Sequence, residues 1–146
     1  MSGGGKPVAL LQSPFLKGDV RFSADGRSLA MITGESGQSE VYVTAYPGPG
    51  ERTRVSTGGA RDLRWSRDGR ELLYLSADGH MMSVPVRTSP SPELGAPTAL
   101  FELKGAIWAG FDVSPDGKRF LAIVPKIVAD DLPLTVVANW ASEVRK

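Results

Sequence analysis

Hydrophobic and polar residues follow the same pattern in three segments of the chain, which align without gaps. Each segment has a short apolar run, then Ser-x-Asp-Gly followed by Arg or Lys, and then a run of bulky apolar residues. The segments are VRFSADGRSLAMI (20–32), LRWSRDGRELLYL (63–75) and FDVSPDGKRFLAI (111–123). Asp-Gly between two apolar runs is typical of a β-hairpin, because both residues tolerate a positive φ. The pattern therefore predicts three hairpins.

The spacing of the hairpins indicates a larger unit. Their serines, Ser23, Ser66 and Ser114, lie 43 and 48 residues apart, close to the period of about 40–50 residues of four-stranded propeller blades. The second strands are apolar on both faces, as expected for sheets packed on both sides. No segment shows sustained helical periodicity. The sequence therefore predicts an all-β protein, a β-propeller made of three four-stranded blades per chain.

The remaining strands of each blade can be placed from the same apolar runs. Second strands are predicted at residues 29–33, 72–76 and 120–124, third strands at 40–45, 81–86 and 134–139, and fourth strands at 8–12, 52–56 and 97–101. Each fourth strand precedes a first strand in the chain. The predicted organisation is a flexible lead at 1–6 and a three-blade unit at 7–146, with repeats at 7–51, 52–96 and 97–140. The Pro-rich residues 88–97 are expected to be a solvated extended connector.

Composition narrows the classes of partner. With 17 Lys and Arg against 16 Asp and Glu, the formal charge is +1, which gives no electrostatic reason to expect nucleic acid or an acidic membrane. The chain has no Cys, so disulfides and thiolate chemistry are excluded. No apolar stretch approaches the ~18 residues of a membrane span, and the first residues do not resemble a signal peptide. We expect a soluble protein, with the cytoplasm and the periplasm both open.

The motifs WSRDGRELLYL (65–75), FDVSPDGKRFLAIVP (111–125) and PLTVVANW (133–140) resemble the TolB-type, WD-repeat-like β-propeller family. The resemblance extends roughly from Pro7 to Trp140, and the last stretch is similar to the final blade of such propellers. Met81-Met82-Ser83 departs from the family, in which an Ile-Tyr pair is usual. The resemblance implies a face that recognises a peptide, protein or glycan segment.

Three blades are too few to close a ring, since propellers typically have about four to eight. The strand at 8–12 has no first, second or third strand of its own blade, whereas the last blade lacks a fourth strand. Two chains placed head to tail could each donate this strand to the other, which predicts a homodimeric six-bladed propeller closed by strand exchange. The alternatives are a fragment capped by another domain and a ring with a different copy number.

Candidate binding residues concentrate at one end of the predicted blades. The loops between fourth and first strands and between second and third strands emerge together there, and they carry Phe15, His80 and Trp108. Large aromatic side chains supply contact area for ligands, although Trp108 could equally fill a gap between blades. His80 is the only histidine, and an exposed turn position is the alternative to a catalytic or ligand-binding role. No Gly-x-Ser-x-Gly elbow accompanies it.

Carboxylates at this end suggest a metal site. Asp19 and Asp62 both lie four residues before the motif serine, whereas the third repeat has Gly110 there and Asp112 two residues later. Oxygen ligands of this kind suit Ca²⁺. The alternative is that each carboxylate pairs with Arg21, Arg61 or Arg64, or caps backbone amides. The repeated turn residues Asp25, Asp68 and Asp116 and their serines are expected to hold the hairpins.

Three functions therefore stay open at the level of sequence. The first is a non-enzymatic binding module for a peptide, protein or small-molecule ligand, assembled as a homo-oligomer. The second is a Ca²⁺-dependent hydrolase of lactones or esters, with the ion held by Asp19, Asp62 and Asp112 and with Asp62 and His80 as catalytic candidates. The third is an inactive part of a larger sensor or peptidase.

Overall fold

The computed structural model describes residues 14–47, 51–88, 90–103, 110–123 and 134–138. These residues form twelve strands and no helix. The strands are β1 (Leu16–Phe22), β2 (Ser28–Thr33), β3 (Glu40–Ala45), β4 (Thr53–Arg54), β5 (Ala60–Trp65), β6 (Glu71–Ser76), β7 (His80–Arg87), β8 (Glu93–Leu94), β9 (Thr98–Glu102), β10 (Phe111–Val113), β11 (Arg119–Ile123) and β12 (Leu134–Ala138). A helix with the length and apolar character needed to cross a bilayer is absent from this part of the chain.

The strands assemble into three antiparallel sheets. Sheet 1 has the order β1-β2-β3-β4, sheet 2 has β5-β6-β7 with both β8 and β9 on the outer edge of β7, and sheet 3 has β10-β11-β12. The described fourth strands, β4 and β9, therefore pair with the third strands that precede them in the chain, β3 and β7. Among the described residues, the outer edge of β12 has no partner strand. The all-β prediction is confirmed, and the strand predicted at 8–12 lies outside the described residues.

The motif serine and aspartate hold each hairpin together. In the first turn, Ser23 Oγ donates to Asp25 Oδ1 (2.6 Å) and accepts the N–H of Ser28 (3.0 Å), while Asp25 Oδ1 also accepts the N–H of Arg27 (3.0 Å). Gly26 has a φ of 70°, in the left-handed region that favours glycine. The side chains thus satisfy backbone donors that the turn would otherwise leave without partners.

The other two hairpins repeat these bonds. Ser66 Oγ donates to Asp68 Oδ1 (2.7 Å) and accepts the N–H of Glu71 (3.0 Å), and Ser114 makes the corresponding bonds to Asp116 and from Arg119. The repetition of serine and aspartate in the sequence is therefore explained by folding, as the pattern predicted.

Apolar side chains from facing sheets form two cores. The first lies between sheets 1 and 2 and consists of Ala30, Ile32, Val41, Val43, Val55, Ala60, Leu63, Leu72, Tyr74, Val84 and Val86. The second lies between sheets 2 and 3 and consists of Leu73, Leu75, Met81, Leu103, Phe111, Phe120 and Ala122. In β6, Leu72 and Tyr74 belong to the first core and Leu73 and Leu75 to the second. This alternation explains why the second strands are apolar on both faces.

The described residues of the segment 88–97 are mostly exposed, as predicted for a solvated connector, but the segment also contacts the first core. Glu93 and Leu94 form β8, which pairs with the end of β7. Leu94 packs against the first core, and the N–H of Gly95 donates to the carbonyl of Pro85 (2.7 Å). This contact involves a single leucine among prolines and serines, and one apolar residue does not form a hydrophobic pattern in the sequence.

Candidate functional site

One end of the sheets, which we call the loop face, carries the connections between second and third strands at residues 34–39 and 77–79. Phe15 precedes β1 at this end, and its carbonyl accepts the N–H of Gly34 (2.7 Å). A backbone bond from Ala60 N to Ser39 O (2.7 Å) joins sheet 2 to sheet 1 at this end, and a bond from Ala77 N to Gly59 O (3.0 Å) extends the pairing of β5 and β6 within sheet 2. The loop face is therefore a connected surface.

Asp19 and Asp62, which share a repeat position, come together on this side through Arg64. The Arg64 Nη1 atom lies 3.1 Å from Asp19 Oδ2 in sheet 1 and 2.6 Å from Asp62 Oδ1 in its own sheet. The two carboxyl groups are also neighbours, so that the protonation of one affects the pKa of the other. Arg21 lies 3.4 Å from Asp19 Oδ1. Both carboxylates are therefore paired with neighbouring arginines, which is the alternative to a metal that the sequence offered.

Asp62 links sheet 2 to sheet 3 as well. Its Oδ2 atom accepts the N–H of Phe111 (3.0 Å), and its Oδ1 atom accepts that of Leu63 (2.9 Å). Gly110 lies next to this carboxylate. Even a Cβ atom added to Gly110 would lie 3.5 Å from Asp62 Oδ2, an ordinary van der Waals distance. The Arg64 guanidinium lies 5.5 Å from the centre of the Phe111 ring, within cation–π range.

The pKa values of the two carboxyl groups are shifted in opposite directions. Burial raises the pKa of Asp62 and the adjacent Asp19 carboxyl raises it further, although the Phe111 N–H and Arg64 oppose this. The neighbouring Asp62 carboxyl lowers the pKa of Asp19, with help from Arg21 and Arg64. The stabilisation from Asp62 is therefore lost as pH rises through its pKa in the folded state, whereas that from Asp19 is lost as pH falls.

Asp112 makes a hydrogen bond that is separate from those of the Asp19–Asp62 pair. It is exposed, its Oδ1 atom accepts the N–H of Val113 (2.9 Å), and it borders a cleft of about 280 Å³ that Arg64 and Arg67 also line. Within the described ranges, no three His, Asp or Glu side chains are grouped so that they could hold a metal ion.

His80 begins β7, next to a tight turn that repeats the Ser-x-Asp-Gly pattern. Ser76 Oγ donates to Asp78 and accepts the N–H of His80 (2.9 Å), while the imidazole Nδ1 lies 3.1 Å from Asp78 Oδ1. The Ser76 hydroxyl is therefore bonded to the aspartate rather than to the imidazole, unlike the nucleophile of a catalytic triad. The imidazole is partly exposed on the loop face.

Of the two aromatic candidates, Phe15 is placed by the structure and Trp108 is not. Nearly half of the surface of Phe15 is exposed at the loop face. Trp108 lies outside the described residues. The structure therefore places Phe15, His80 and the Asp19–Asp62 pair toward the same end, as the repeat register predicted.

Glu40 was not identified from the sequence. Its carboxylate is completely buried and accepts hydrogen bonds from Ser56 Oγ, Arg54 Nη2 (2.9 Å) and the N–H of Gly59 (3.0 Å). Burial alone would raise the pKa of Glu40, but these hydrogen bonds outweigh it and lower the pKa. The available signal in the sequence was a glutamate at the start of an apolar strand. The Glu40 carboxylate ties β3 to the connection that follows β4.

A cavity at the opposite end of the sheets was also not expected. It has a volume of about 890 Å³ and lies between sheets 1 and 2. Its walls combine charged side chains from the hairpin turns with apolar ones from β7 and β8, including Asp25, Arg70, Arg87, Pro85 and Leu94. Because about a third of this wall comes from residues 88–97, the cavity could not be anticipated while that segment was taken to be only a solvated connector.

The turn carboxylates predict how stability depends on pH. Hydrogen bonds, first from Ser23 and then from Thr88, lower the pKa of Asp25 from 3.8 to about 2, and the bond from Ser66 lowers the pKa of Asp68. Because these pKa values are lower in the folded state, the stabilisation is present above the ordinary value and is lost as pH falls. We expect the urea midpoint to decrease steadily from about pH 4 to pH 2.

The variant Ser66→Ala serves as the control, because it removes the bond that lowers the pKa of Asp68. Its urea midpoint should change less steeply over the same range than that of the unmodified protein. Equal slopes would show that the turn bonds do not hold the carboxylate in its ionised form.

Comparison with known proteins gives matches among solved structures. TolB from Acinetobacter baumannii superposes with a TM-score of 0.64 at 19% identity, over 89% of this chain and 32% of that one. The tricorn protease gives a TM-score of 0.55 at 19% identity, over 80% and 11%. Oligogalacturonate lyase from Vibrio parahaemolyticus gives 0.51 at 14% identity, over 70% and 27%. No protein-family model matches, and no curated protein matches.

These similarities concern the fold, because all the identities are below one quarter. The chain spans about a third or less of the length of each protein. The activities named for the lyase and the protease belong to those proteins.

Proposed function

Starting from a TolB-like β-propeller fold, we propose that this chain is a binding module in which two copies close a six-sheet ring and the loop face holds a peptide or protein segment. The observation that carries this proposal is the grouping of an aromatic ring, an imidazole and the Asp19–Arg64–Asp62 cluster toward one end of adjacent sheets. Aromatic side chains and arginine are enriched in protein-binding surfaces.

The way in which the reactive side chains are used supports binding rather than catalysis. The hydroxyl groups of the motif serines donate to the aspartates of their own turns, and that of Ser76 donates to Asp78. Propeller folds carry many unrelated functions, so the site rather than the fold has to support the proposal. Here the site offers contact area and charge.

The binding test uses peptides selected from a random displayed 12-residue library on the immobilised protein, followed by calorimetry with the purified peptide. We expect Phe15→Ala and His80→Ala each to weaken binding roughly tenfold, a typical effect for a well-packed contact residue. Arg87→Ala, in the cavity at the opposite end, is the matched control. Loss of binding in Arg87→Ala alone would place the ligand in that cavity and contradict the proposal.

A Ca²⁺-dependent hydrolase acting on lactones or esters is the second candidate. The contact between the Asp19 and Asp62 carboxyl groups favours it, because a pair of carboxylates suits a hard cation. Arg64 between them opposes it, since the guanidinium already supplies the positive charge. Millimolar Ca²⁺ should raise the melting temperature, and EDTA should reverse the shift, if this candidate is correct. No shift, with no hydrolysis of a panel of lactones and aryl esters, would eliminate it.

A further inference from the structure

The outward flank of sheet 1 has the apolar surface of a sheet that packs against a neighbour. Val20 and Phe22 in β1 occupy the repeat positions of Leu63 and Trp65 in β5. Leu63 is 0% exposed in the core against sheet 1, and Trp65 packs on that core and donates from Nε1 to the carbonyl of Arg21 (3.1 Å). Val20 and Phe22 are 51% and 55% exposed. Sheet 1 therefore exposes the face whose equivalent in sheet 2 is buried against a neighbouring sheet.

The outward flank of sheet 3 shows the complementary feature. Leu121 in β11 occupies the repeat position of Leu73 in β6, which faces sheet 3 and is 3% exposed. Leu121 is 40% exposed. Sheets pack on each other twice inside the chain, sheet 1 on sheet 2 and sheet 2 on sheet 3. The outward flanks of sheets 1 and 3 expose the two kinds of surface that meet in these contacts.

The charges on the first strands match in the same way. Inside the chain, Arg64 crosses from sheet 2 to reach the Asp19 carboxylate of the preceding sheet. Arg21 occupies the repeat position of Arg64, and it would reach toward whichever sheet precedes sheet 1. In sheet 3, Gly110 stands at the repeat position of Asp19 and Asp62, and the carboxylate is that of Asp112, two residues later in β10.

We infer that the open flank of sheet 1 binds the open flank of sheet 3 in a second copy of this chain, and that the Arg21 guanidinium of one copy pairs there with the Asp112 carboxylate of the other. This inference rests on the proposed two-copy ring and specifies its junction. A ring of two copies contains two such junctions, each with one arginine and one aspartate. Both partners of the pair are exposed in the single chain.

Charge exchange tests the pair, with masses measured by light scattering over a dilution series. Arg21→Asp places two carboxylates at each junction and Asp112→Arg places two guanidinium groups there, so each should weaken association about tenfold or more. The double variant has the pair reversed and should return to within about threefold of the unmodified chain. An equimolar mixture of the two single variants should also associate, because each mixed junction is complementary.

The neutral variants Arg21→Gln and Asp112→Asn provide a check against folding defects, with circular dichroism to verify the sheets. They should weaken association less than the charge reversals and reduce its dependence on salt. If all variants associate like the unmodified chain, or if the double variant is no better than either single variant, the pair is wrong although the ring stands. If the unmodified chain is a monomer at every concentration, the ring and the junction both fail.

Discussion

Leu63→Ala is expected to lower the free energy of unfolding by about 2–5 kcal/mol, the range for a buried leucine whose removal leaves a cavity. Leu63 is fully buried between sheets 1 and 2, in contact with the core that includes Ile32, Val41 and Tyr74. The loss should appear in urea unfolding followed by tryptophan fluorescence, and it should not depend on protein concentration because the contact lies within one chain.

Val20→Ala is the matched comparison, because Val20 has the same repeat position on the open flank of sheet 1. At concentrations at which the chains are separate, its effect should be within about 0.5 kcal/mol, as for most exposed substitutions. Any larger effect should appear only when the chains associate. Equal costs for the two variants at every concentration would contradict the packing of the sheets described here.

Gly59→Ala should have the second large effect, a loss of about 2–5 kcal/mol that combines left-handed strain with overpacking. Gly59 has a φ of 100°, and a Cβ atom built on it would lie 2.8 Å from the Cβ atom of Ala77. Relief would require the connection at 57–59 to move away from the turn after β6. That movement would weaken the bonds from Gly59 N to Glu40 and from Ala77 N to Gly59 O.

The neighbouring Gly58→Ala separates strain from overpacking. Gly58 has a φ of 87°, but a Cβ atom there would meet nothing within 4 Å. This variant should lose only the cost of the left-handed conformation, about 1–2 kcal/mol. Both variants can be measured by thermal and urea unfolding. A Gly59→Ala variant as stable as Gly58→Ala would show that the loop and the turn are not in close contact.

The strands and hairpins could be predicted from the sequence because they depend on local signals. The Ser-x-Asp-Gly motif acts within six residues of chain, and its hydrogen bonds are the same in all three hairpins. The meeting of Asp19 and Asp62 followed from repeat position alone, since equivalent residues of neighbouring sheets lie at the same level.

The partners of these carboxylates could be predicted only as a group of candidates, Arg21, Arg61 and Arg64. That Arg64 reaches from its own sheet to Asp19 in the neighbouring one depends on how the two sheets pack. The burial of Glu40 depends on groups 14 to 19 residues away, namely Arg54, Ser56 and Gly59. The partners of a buried carboxylate are set by tertiary packing, which the pattern of hydrophobic positions does not contain.

The mass of the unmodified chain in solution, measured by size-exclusion chromatography with light scattering, tests the central claim most directly. The account predicts a species of twice the 15.5 kDa mass of the chain, which dissociates on dilution. A species of 15.5 kDa that persists at the highest accessible concentration would contradict the two-copy ring.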